Sequence, residues 1–178
     1  MPDRVIDCCS LINLYTGWQG LEELRGLAGT WYVCDAVIGE AERTREFDAS
    51  GEMVWVTLDL QPFTRSGLLV QAHPQTEQEI ADYVEFAGEV DDGEAQALAI
   101  AKNRGFAILT DDHKAALLAR YAEVPVITTP ILLRQWADRD PAKAAQLKDV
   151  VRRISTLARF NPRADSPDRN WWLSLLED

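Results

Sequence analysis

The chain is poor in cysteine, in histidine, in long apolar runs and in positive charge, and each shortage excludes something. Its three cysteines, Cys8, Cys9 and Cys34, are too few and too odd in number for a disulfide framework. A tetrahedral zinc site needs four ligands at suitable spacing, and only two histidines, His73 and His113, exist to help. The cysteines are therefore expected as small buried residues in strands of a reduced protein. No apolar run approaches the roughly 18 residues that span a bilayer, so no membrane association is expected. Asp3 and Asp7 fall where a signal peptide carries its apolar segment, which predicts an intracellular, soluble, cytoplasmic protein. Basic residues are outnumbered, 18 against 29 acids, for a formal charge of -11. Nucleic-acid binders usually gain affinity by neutralising phosphates with lysine and arginine, so a generic one is disfavoured. A site in which bound cations invert the local charge before a phosphate arrives is not.

What is present is an alternation of strands and helices over a length that favours one domain. "RVI" before Asp7 and "TWYVC" read as buried strands, and "MVWVTLDL" as a strand by alternation. Leu21, Leu24 and Leu27 suggest a helix. Asp35 is placed to cap another through "AVIGEAERTREF". Thr76 and Glu79 form a capping box for a helix whose apolar face is Ile80, Val84 and Ala87. "DDGEAQALAIAKNRG" is a strong helix closed by Gly105, followed by strand "FAILT", helix "HKAALLARY", strand "VPVITT" and a helix opened by Pro130. Asp140 and Pro141 open a last long helix. The pattern predicts an α/β fold with a central, mainly parallel sheet flanked by helices on both faces. Residues 1–140 are expected to form the functional domain, and residues 141–178 a helical extension and tail of the same unit. The tail ends in "NWWLSLLED", whose Trp171, Trp172, Leu173, Leu175 and Leu176 should not face water. They either fold back over the sheet or meet a second copy or small partner.

Ligands in open α/β sheets bind beyond the carboxyl ends of the strands. Asp7 ends the first strand, and Asp111 and Asp112 end "FAILT". Glu40 and Glu94 lie on helices that follow strands, so all of them can converge on one edge. Helix N-termini favour single carboxylates but do not explain several with no basic neighbour; a hard divalent cation does, because Mg2+ or Mn2+ takes oxygen ligands. One of the two adjacent aspartates is expected to cap the following helix and the other to be a ligand.

These segments resemble the PIN-domain family of metal-dependent ribonucleases, which includes VapC-like toxins. "VIDCCSLINL" is similar to the family's opening strand and "YVCDAVIGEAER" to its strand-to-helix segment. "DDGEAQALAIAKNRGFAILTDD" resembles the Gly-Glu subgroup. The resemblance covers about residues 4 to 135. It implies a PIN-like fold and a four-acid site of Asp7, Glu40, Glu94 and Asp111, with Asp112 as substitute or outer group. It also implies Mg2+ or Mn2+ as cofactor, RNA as substrate, and two ions acting on an attacking water and a leaving oxygen. A small antitoxin-like protein or a second copy is the implied partner. One position departs from the family pattern: Cys9 stands where Ser or Thr is usual, with Ser10 one step on. The alternative reading is a noncatalytic PIN-fold binding or scaffold domain. An aspartyl-nucleophile phosphotransfer site needs a second Asp at that same place and is disfavoured by Cys9.

Overall fold

The computed structural model describes residues 3–177. Five short strands, β1 (Arg4–Ile6), β2 (Trp31–Cys34), β5 (Leu69–Ala72), β6 (Ala107–Leu109) and β7 (Val126–Ile127), form one sheet in the order β5-β2-β1-β6-β7. Every pairing in it is parallel. Successive strands run outward from β1 on one side and from β6 on the other. The order therefore reverses between these two central strands, and the crevice beyond their carboxyl ends is the natural ligand site. Val5, Ile6, Ile108 and Leu109 are fully buried, as strands covered on both faces require.

Helices α1 (Cys8–Trp18), α2 (Asp35–Glu40), α3 (Gln61–Arg65), α4 (Glu77–Ala87), α5 (Asp92–Arg104), α6 (His113–Tyr121), α7 (Thr129–Ala137), α8 (Pro141–Arg153) and α9 (Arg169–Ser174) complete the chain. Between them, strands β3 (Arg43–Phe47) and β4 (Met53–Thr57) pair only with each other, as an antiparallel hairpin outside the main sheet.

Several local expectations are corrected. Cys8 and Cys9 open α1 instead of lying in a strand, because Asp7 caps a helix there by accepting from the Ser10 N–H at 2.7 Å. Cys9 is exposed, and only Cys34 is a buried strand cysteine. The leucines Leu21, Leu24 and Leu27 flank a short 3-10 turn, Glu22–Gly26. The helix after β2 stops at Glu40, since Thr44 fits the pleat opposite Val56 and continues the chain as β3. On α4 the expected face is inverted: Ile80 is 48% and Val84 65% exposed, while Glu79, Asp82 and Phe86 are buried. Hydrogen bonds decide that orientation. Arg104 donates to Glu79 at 2.7 Å, and Lys102 and Asn103 donate to Asp82, each at 2.7 Å.

The C-terminal part packs on the same core. Gly17 of α1 meets α8 so closely that a Cβ would stand 2.8 Å from Ile154. Helix α8 continues through a π-helical turn, Ile154–Ala158. Trp172 is fully buried, donating its indole N–H to Ser155 at 2.9 Å and Asn161 at 3.0 Å, and Trp171 lies under the Arg134 guanidinium. The apolar tail thus folds back over its own chain. No helix among the described residues is long and apolar enough to cross a membrane.

Candidate active site

The β1 backbone ends in Asp7, whose N–H donates to the Leu109 carbonyl of β6 at 3.1 Å, so Asp7 sits at the crevice between the central strands. It is fully buried. One carboxylate oxygen caps α1, whereas Oδ2 is buried with no hydrogen-bond partner. Burial lifts its pKa to about 7; the nearby Thr110 hydroxyl and the Ser10 N–H pull it down, and Asp111 pushes it up again. Such an orphaned anionic oxygen is rare, because an unpaired buried polar atom is costly.

Glu94, half-buried in the first turn of α5, is a second carboxyl group with a raised pKa. Burial raises its pKa to about 7, and the nearby charges of Asp112, Asp7 and Asp91 add to the shift. Among the described residues it forms no ion pair. The half-buried Cys8 thiol is lifted to about 12, first by burial and then by the surrounding acids, Glu40 ahead of Asp7 and Glu94. It therefore stays protonated and reports a strongly negative pocket.

Asp111 is placed differently. Its half-buried carboxylate accepts from the Thr129 N–H at 2.8 Å, the Thr129 hydroxyl, Asn13 at 2.9 Å and Ser10 Oγ at 3.3 Å. It ties β6 to α1 and to the start of α7. Burial still raises its pKa, against those hydrogen bonds. Asp112 is the helix cap of the pair, accepting from the Ala115 N–H at 2.8 Å. Glu40, at the end of α2, is exposed and accepts from the Gly93 N–H at 3.0 Å, which brings α2 against the first turn of α5. His113 and Lys114 face solvent, and Lys114 pairs with Glu89 at 3.0 Å.

Four polar residues of this site, Ser10, Asn13, Thr110 and Thr129, are buried. Of these, the sequence pointed only to Ser10, one step past Cys9. Asp7, Ser10 and Asn13 are three residues apart, which places them on one face once the segment is helical. Ser10, not Cys9, delivers the hydroxyl to the acid cluster.

A family model described as a PIN domain matches residues 3–160, most of the chain. The chain belongs to the PIN-domain family. The match runs through α8, past the segments that carry the sequence resemblance. No curated protein matches the chain. PIN domains are in general nucleases that use divalent metals, so a PIN-type site must be tested against the residues present. Among the described residues no three His, Cys, Asp or Glu side chains are grouped to hold an ion. The free Asp7 Oδ2 and the uncompensated Glu94 nevertheless fit a hard cation. Mg2+ keeps several waters and is held by one or two carboxylates plus substrate phosphates, without an all-protein cage.

Proposed function

We propose that this PIN domain is a Mg2+- or Mn2+-dependent endoribonuclease of the VapC-like, Gly-Glu type, acting as the toxin of a toxin–antitoxin pair. The observation that carries the reading is the pair Asp7 and Glu94, two carboxyl groups raised to about 7 in one crevice with no cation beside them. Asp7 and Glu94 hold the ion, Glu40 and Asp111 orient the groups around it, and Asp112 stays with its helix. When bound, the cation supplies the positive charge that phosphodiester hydrolysis requires at phosphorus. The chain's own contribution is placement. Ser10 and Thr110 fix the Asp7 carboxylate, and Asn13 and Thr129 fix Asp111. The low-dielectric pocket strengthens each charge interaction with an arriving phosphate.

A second reading, a noncatalytic PIN-fold binding domain, is favoured by the four donors on Asp111 and by the absence of a grouped three-ligand set among the described residues. One experiment separates the two. Labelled structured RNA is incubated with wild type, Asp7→Asn and Glu94→Gln in Mn2+, Mg2+ or EDTA, and Mn2+-induced thermal shifts are recorded in parallel. The nuclease reading expects metal-dependent cleavage that falls by about 100-fold or more in both variants, together with a Mn2+ shift largely lost in Asp7→Asn. A wild type with no cleavage in any metal sinks it in favour of the binding domain.

A further inference from the structure

The β3–β4 hairpin is anchored on one face only. Thr44 is buried, its hydroxyl 2.5 Å from that of Thr16 on α1, and Val54 and Val56 are half-buried beside it. The opposite face carries Arg43, Arg45 and Phe47 on β3 against Thr57, Trp55 and Met53 on β4. Trp55 is 66% exposed, Phe47 50% and Met53 43%, so three of the eight large apolar side chains that stand exposed among the described residues share this ribbon. An aromatic held out in this way gains nothing from the fold.

The charge on this face is unusual for the chain. The Arg45 guanidinium lies 5.0 Å over the Trp55 ring. Among the described residues neither Arg43, Arg45 nor Arg159 forms an ion pair. Partial burial and then the Arg159 charge lower the Arg45 pKa. Of the hairpin's acids, Asp48 closes the turn by accepting from the Ser50 and Glu52 N–H groups, whereas Glu46, opposite Val54, is exposed and lines the adjoining cleft beside Arg45. Arg45 and Phe47 also border a cleft of about 330 Å³, walled by Tyr15, Thr44 and Arg153.

We propose that this hairpin face, with its adjoining cleft, is a stacking platform for single-stranded RNA. The inference rests on the ribonuclease reading for its substrate but not for its evidence. Every base has a π-face, and exposed aromatics flanked by arginines are how sequence-tolerant single-strand binders hold it. The guanidiniums of Arg43 and Arg45, without an ion pair among the described residues, make this face locally positive, which a phosphate backbone complements while its bases stack on the aromatics. The row from Arg43 to Phe47 is about 13 Å long at the strand rise, room for several stacked bases.

The test measures anisotropy of a labelled oligouridylate of roughly 12 nucleotides, bound by the full chain in EDTA so that cleavage plays no part. Wild type is expected to prefer the single strand to a duplex of equal length. Trp55→Ala should weaken binding about tenfold and Trp55→Phe much less. The double variant R43E/R45E should also flatten the slope of log affinity against log salt by at least about 1.4. Circular dichroism melts check that the exposed substitutions leave the fold intact. Equal binding by wild type and all variants overturns the platform. So does sedimentation showing that wild type is a dimer which Trp55→Ala dissolves, because the face would then be a protein interface. RNA binding lost in these variants, in a wild type that never cuts, would remove the nuclease reading and leave the platform standing.

Discussion

The two ends of helix α5 handle buried carboxylates in opposite ways. At its C-terminal end Lys102, Asn103 and Arg104 reach across to Glu79 and Asp82 of α4. The Arg104 hydrogen bond, against burial and with help from the Gln75 and Thr76 amides, holds the Glu79 pKa down at about 2. Burial works against Asp82, but donors from Lys102, Asn103 and Gln78 outweigh it and leave its pKa below the ordinary range. At the N-terminal end Asp7 is fully and Glu94 half withdrawn from water, yet among the described residues no lysine or arginine pairs with either, and both rise to about 7. Burial is common to both ends; neutralisation is not. Where the chain supplies its own cations the acids are structural. Where it withholds them, the charge is left for something that binds.

The strongest way to break this contrast is to make the first end resemble the second. Arg104→Ala leaves Glu79 buried and uncompensated, and breaking such a pair typically costs about 3–5 kcal/mol. Urea denaturation should find that loss. Asp7→Asn should do the reverse. Asn still caps α1, and removing an unpaired charge should stabilise the metal-free protein at pH 8 by on the order of 2 kcal/mol. If Arg104→Ala is as stable as wild type, or Asp7→Asn is much less stable, the two ends are not physically different.

A gentler test varies pH without mutation. Asp7 and Glu94 have folded-state pKa values above their unfolded ones, so each opposes folding most at pH well above about 7. That penalty is relieved as pH falls toward their unfolded values near 4. Glu79 has its pKa depressed to about 2, so its contribution is fully present above about 4.5 and is lost as pH falls through 2. The metal-free protein should therefore be most stable near pH 5 and lose stability toward pH 8. The alkaline slope should shrink in Asp7→Asn. A wild-type profile that stays flat from pH 5 to 8 would mean that the crevice acids are not buried uncompensated.

Much of this was legible beforehand, for identifiable reasons. The parallel sheet follows from apolar runs separated by capped helices, and Asp7, Glu94 and Asp111 could be placed because strand ends and helix starts share one edge of such a sheet. One of Asp111 and Asp112 is expected to cap the following helix and the other to be a ligand; Asp112 caps α6, as the first half requires. The misses were tertiary. The Ile80–Val84 face of α4 has the right helical spacing, but the partners of Glu79 and Asp82 lie about 20 residues away or more, and a periodicity within α4 cannot register them. Likewise Cys8 and Cys9 are expected in strands, whereas the Asp7 cap opens α1 there and brings Ser10 and Asn13 to Asp111. Of the hairpin, β4 reads as a strand from its alternation, but β3 reads as the end of a helix because it is rich in charge, and it pairs outside the main sheet.

The smallest expected effect probes how the two helices of the crevice are fitted together. Gly93 opens α5 beside Glu94, and its N–H donates to Glu40. A Cβ at this position would stand 2.6 Å from Glu40 Oε2 and 3.1 Å from Val37 Cγ2. The first contact is with the free end of a flexible side chain, which can swing away, and alanine also favours helix by about 1 kcal/mol over glycine. Gly93→Ala should therefore change stability by less than about 1 kcal/mol in either direction. It should nevertheless displace the Glu40 carboxylate from the crevice. Loss of a group that orients the ligands of a bound ion commonly costs about 10–100-fold in metal affinity or activity. The paired end of α5 offers the control, since nothing at Glu79 or Asp82 touches Gly93, and the acid limb of the stability profile should be unchanged. A Gly93→Ala protein that melts like wild type, keeps that limb and responds to Mn2+ at tenfold higher concentration would place Glu40 in the working site. One that melts like wild type and answers Mn2+ equally would remove Glu40 from it and leave Asp7 and Glu94 alone to hold the ion.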